Sequence, residues 1–136
     1  MSKHGDKWIS PDGRIELRCG DWREVLADVT ERCSLISDPP YSNRTHAGQR
    51  TGSSIRVATI EFASIGDMPG ELAARWAPVA SWAVIFGDHQ SFNRHETAWQ
   101  ESGWLVFAPV PWVKPDAPPR MSGDGPSCDA EWIMVA

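Results

Sequence analysis

Asp38-Pro39-Pro40-Tyr41 is the segment whose residue types, in that order, suit a definite chemistry. Asp38 offers acceptor oxygens. Two consecutive prolines fix φ and hold the backbone rigid, so the Pro39 carbonyl can face the site without reorganising. Tyr41 supplies a flat face for stacking. Such a set suits methyl transfer to an exocyclic amine such as adenine N6, a poor nucleophile because its lone pair is delocalised into the ring. Two acceptors gripping the amine's two hydrogens favour a pyramidal nitrogen with its lone pair aimed at an incoming methyl group. Tyr41 would clamp a base flipped out of its duplex.

Other residues weigh differently. Ser42–Ile60 carries Arg44, His46, Arg50 and Arg56 and no acidic residue. It reads either as a grip on phosphates or as a solvated loop. Asp21 follows Gly20 and suits a helix N-cap. His46, His89 and His95 have no ligand spacing with one another or with Cys19, Cys33 and Cys128, so no metal centre is expected and the thiols are expected reduced. No Ser-His-Asp set is readable.

These residues need elements to hold them. Residues 1–13 form a polar lead-in ending in the turn Pro11-Asp12-Gly13. Arg14–Cys19 alternates polar and apolar like a half-buried strand. Asp21 then caps a short helix over Trp22–Leu26, with Glu24 at the capping-box position. Cys33–Ser37 is an apolar strand that stops at Asp38-Pro39-Pro40, since neither proline donates to a ladder. A long loop follows from Ser42 to about Gly66. Glu71–Val79 suits a helix, Ser81–Phe86 a buried strand, and Asp88 caps a helix reaching about Glu101, with Gly103 as its stop. Trp104–Trp112 reads as an edge or bulged strand interrupted by Pro109 and Pro111. Asp116–Ser127 is a Pro/Gly loop, and Glu131–Ala136 is a last strand. The order predicts α/β architecture with a largely parallel sheet. Ligands of such sheets sit outside the carboxyl ends of strands, where Asp38 falls.

With those residues in place, the chain resembles the DNA amino-methyltransferases that make N6-methyladenine or N4-methylcytosine. Ile15–Asp21 followed by Leu35–Tyr41 is similar to the opening of the circularly permuted members, in which the catalytic half comes first. Gly103-Trp104, Trp112-Val113-Lys114-Pro115 and Glu131–Val135 are similar to their next strands. The resemblance implies a partial Rossmann-like methyltransferase sheet, mostly parallel with an antiparallel C-terminal strand. It implies one catalytic subdomain over residues 1–136, incomplete at its C-terminus. Its implied cofactor is S-adenosylmethionine (SAM), held by Asp21 and Asp38. Its implied substrate is double-stranded DNA with a flipped base, in a restriction–modification setting. Catalysis falls to Asp38, Pro39, Pro40 and Tyr41, and DNA contact to Tyr41, Arg44, Arg50, Arg56, Trp112 and Lys114. Asp rather than Ser at position 38 favours adenine over cytosine. A non-catalytic remnant of such an enzyme, or an enzyme acting on RNA or on a protein glutamine, remains an alternative.

One departure stands out. The family's Phe-x-Gly-x-Gly loop, which cradles the methionine end of the cofactor, has no counterpart here, nor has the acidic residue that follows it. Half of a doubly wound sheet leaves an open edge and apolar faces, so self-association or a missing C-terminal lobe is expected. The chain has 136 residues and a formal charge of −5, which argues against a uniformly basic nucleic-acid surface. No apolar run approaches the ~20 residues that span a bilayer, and the polar N-terminus reads as no signal peptide, so a cytoplasmic protein is expected.

Overall fold

A computed structural model describes residues 3–41, 66–115 and 130–136. The chain divides into two compact units, Met1–Glu31 and Arg32–Ala136.

In the first unit, β1 (Lys7–Ile9) pairs antiparallel with β2 (Glu16–Arg18), Trp8 opposite Leu17. The connecting turn has Gly13 at φ 70°, where a Cβ would be strained, and Asp12 accepts from Ser10 Oγ at 2.5 Å and the Arg14 amide at 3.2 Å. β1 lies inside the expected lead-in. Its three residues are all exposed, so no alternation marked it. Helix α1 (Trp22–Val25) begins where Asp21 accepts from the Arg23 amide at 2.9 Å.

The second unit holds the sheet that carries the candidate site. Its strands are β3 (Cys33–Ser37), β4 (Ala80–Gly87), β5 (Val110–Val113) and β6 (Ala130–Val135), in the order β3-β4-β6-β5. β3 and β4 are parallel; β6 runs antiparallel to both β4 and β5. Three strands therefore point one way, yet only one neighbouring pair is parallel, because β6 sits between β4 and β5. The ladder is more antiparallel than the sequence suggested. The strand region expected from Trp104 contracts to Val110–Val113, since Pro109 and Pro111 remove two ladder donors. Pro111 is accommodated because β5 is an edge strand.

Helices α2 (Met68–Trp76) and α3 (Phe92–Glu101) pack on one another and supply one layer of the core. Leu72, Ala73 and Trp76 of α2 and Phe92, His95 and Trp99 of α3 are buried, as are Ala83 and Ile85 of β4 and Met134 of β6. Their helical spacings of three and four residues put them on one side of each helix. The β4 pattern alternates, so this strand is buried on one face rather than on both. The other face carries Ile36 (73% exposed), Trp82 (52%) and Trp112 (49%). Trp82 stacks there on Phe107 with centroids 6.0 Å apart.

Candidate active site at the carboxyl edge of the sheet

Strand direction brings four segments to one edge. β3 ends at Ser37 and continues into Asp38-Pro39-Pro40-Tyr41; β4 ends at Gly87-Asp88; β5 ends at Val113-Lys114; antiparallel β6 begins there with Ala130-Glu131. Register confirms the meeting. Ser37 lies beside Ile85, Gly87 opposite Trp132, and Trp112 opposite Glu131.

Asp38 is exposed, Pro39 is buried, and Pro40 and Tyr41 are half-buried. The buried proline anchors the turn while the carboxylate beside it stays open to solvent. Tyr41 donates its phenolic O–H to Glu131 Oε2 at 3.2 Å, reaching from the exit of β3 to the entry of β6. Burial, together with the nearby Asp38 and Glu131 carboxylates, pushes the Tyr41 phenol well above the ordinary tyrosine range. It stays a neutral donor at physiological pH. The other oxygen of Glu131 accepts from Lys114 Nζ, forming an ion pair. Trp112 sits opposite Glu131 and meets Phe86 edge-on, with centroids 5.3 Å apart. Thus Asp38, Pro39, Pro40, Tyr41, Trp112 and Lys114 gather at one sheet edge.

Glu131 joins them as a residue the sequence reading placed only within a strand. Its signal was an ionisable side chain at the start of an otherwise apolar strand, a place where a carboxylate needs partners.

Asp88, also at this edge, is occupied structurally. It is buried and accepts from the Gln90 and Ser91 amides at 3.1 and 2.7 Å, capping the turn that leads into α3. Gly87 is required beside it, since a Cβ there would lie 2.6 Å from Ser91 Oγ. Asp21 belongs to the first unit. The Arg23 amide, joined by the Arg23 guanidinium 3.2 Å away, holds its carboxyl below the usual carboxylate range. The cap expected for Asp21 is therefore present. Arg44, Arg50 and Arg56 lie outside the described residues. Among the described residues no group of His, Cys, Asp and Glu is placed to hold a metal ion, and no helix is long and apolar enough to cross a membrane.

Chemically, the edge offers an open carboxylate next to a rigid turn, an aromatic ring tethered by its hydroxyl, and a neighbouring tryptophan. No protein-family model and no curated protein matches the chain. Among solved structures, it is similar to the crystal structure of the M1.HpyAVI–SAM complex, with a TM-score of 0.53 and 19% identity. The match covers 83% of this chain and 47% of that one, so this chain spans about half the length of the structure it resembles. At such identity the likeness establishes a shared fold.

Proposed function

We propose that the chain carries the catalytic edge of a SAM-dependent methyltransferase that modifies the exocyclic amine of a DNA base, adenine N6 in the first place. The observation that carries the reading is the position of Asp38-Pro39-Pro40-Tyr41. It leaves the carboxyl end of a sheet strand with its carboxylate open and its ring tethered, in a fold shared with a protein solved in complex with SAM. The residues present fit one side of such a site. An open carboxylate accepts an amine hydrogen, and the rigid Pro39 backbone presents a carbonyl for the other. SAM supplies an electrophilic methyl group.

In this reading Asp38 and the Pro39 carbonyl draw the amine out of conjugation with its ring, so that nitrogen becomes the nucleophile. Their grip is strongest as positive charge develops on that nitrogen, and so acts on the rate more than on ground-state affinity. Tyr41 holds the base by stacking. Trp112 borders the base, while Lys114 compensates the charge of Glu131. Asp21 is proposed on the cofactor side, in addition to its cap. Arg44, Arg50 and Arg56, on the segment after Tyr41, are proposed to meet phosphates.

The test is transfer of a labelled methyl group from SAM to unmethylated DNA, with SAM binding followed separately by calorimetry. Asp38→Ala is expected to lower transfer by about 100-fold or more, well beyond any loss of SAM affinity from its expected share in holding the cofactor. Turnover at the unsubstituted level by this variant would remove the reading.

A further inference from the structure

We infer that Glu131 is the positioning residue of Tyr41: it takes the phenolic hydroxyl on one oxygen and Lys114 on the other, and so fixes the ring at the sheet edge. The inference deepens the proposed function and rests on it for the use to which the ring is put.

Three observations meet at this carboxylate. The hydrogen bond from Tyr41 to Oε2 is 3.2 Å. Lys114 is ion-paired with Oε1, which leaves Oε2 for the phenol and supplies the counter-charge for a carboxylate only 24% exposed. Glu131 itself is fixed by the β5–β6 ladder, in which it pairs with Trp112. The tether thus ties the exit of β3 to two strands that are not its neighbours, passing over the end of β4. A tyrosine held only by its backbone turns about two side-chain torsions. A hydrogen bond at the far end of the ring removes most of that freedom. A stacking platform ordered before its base arrives loses less entropy on binding. The hydroxyl therefore has a use that stacking alone would not give it, and phenylalanine is not an equivalent residue at position 41.

The experiment uses the fact that Tyr41 is the sole tyrosine of the chain. Labelling with tyrosine carrying carbon-13 at the ring carbon bonded to oxygen gives one resonance, which reports both environment and ionisation. In Glu131→Ala this resonance should move, and the phenol should begin to ionise at lower pH, with burial and Asp38 still holding it above the ordinary tyrosine range. Glu131→Gln keeps an acceptor and should lie between the two, covering the case in which the alanine variant folds poorly. In the transfer assay, Glu131→Ala and Tyr41→Phe should each lower kcat/KM for DNA by about tenfold. The double variant should lose no more than either single one, because both remove the same contact. SAM affinity should not change.

An unmoved tyrosine resonance in both Glu131 variants overturns the tether. A moved resonance with unchanged kcat/KM, or additive losses in the double variant, overturns the positioning role while leaving Asp38 in place. Absence of methyl transfer in the unsubstituted protein would instead overturn the proposed function, and the resonance would still decide the tether.

Discussion

Asp38 and Tyr41 stand at opposite ends of the same four-residue turn, and their surroundings divide the work. Asp38 is exposed, as an acceptor for an amine must be, whereas the Tyr41 hydroxyl is half-buried, donates to Glu131 and also feels the Asp38 carboxylate. Removing the Tyr41 ring should weaken retention of the base by the ~1–3 kcal/mol that base–aromatic stacking is worth. For Tyr41→Ala the expected outcome is a higher KM for DNA and a weaker flipping signal from 2-aminopurine placed at the base that the unsubstituted protein methylates. An unchanged signal would exclude stacking. Asp21 shows the converse case, in which a carboxylate has a structural partner and a proposed ligand. Asp21→Asn keeps the acceptor for the Arg23 amide but loses the charge, so the melting temperature should change little. Asn and Asp are near-equal N-caps, and calorimetric melting checks this.

At the scale of elements, α3 carries the clearest consequence. His95 is 1% exposed, and neither ring nitrogen has a hydrogen-bond partner among the described residues. Burial, aided by neighbouring Arg94, pushes its pKa down from 6.5 to about 4. The unfolded chain thus binds the proton first as pH falls below about 6.5, and stability drains away until the folded state titrates near 4. Up to ~3 kcal/mol should be lost across that window. Chemical unfolding at pH 7 and pH 4.5 measures it, and His95→Leu should flatten the difference. Gly87→Ala should also destabilise, because the added methyl meets Ser91 Oγ in the turn that Asp88 caps. Much of this layer was legible beforehand. Cys33–Ser37 announced itself as an apolar run ending in prolines, and α3 ends at Glu101 with Gly103 at φ 84°. What escaped were features set by tertiary neighbours. β1 has no inward side chain to mark a period, and the Tyr41–Glu131 bond joins residues that meet only once β6 lies beside β4. No local spacing records such a pairing.

On the scale of the whole molecule, the described residues pack helices on one face of the sheet and leave large apolar side chains exposed on the other. Ile36, Trp82, Phe107, Val110 and Trp112 all remain about half exposed or more. Among the described residues, β3 also lies at one edge of its sheet. A contiguous apolar face beside an edge strand favours association. Light scattering should therefore show an apparent mass that rises with protein concentration, and Ile36→Glu or Trp82→Glu should lower it. The order β3-β4-β6-β5 has one more consequence, for the route by which the sheet forms. β6 comes after both of its neighbours in the sequence, yet it lies between them, with Val84 opposite Val135 and Val110 opposite Ile133. Until it arrives, β4 and β5 have no partner on their facing sides. β6 is the keystone of the sheet: docking it joins two separate pieces in one event of large sequence separation, the kind of step that sets a folding rate.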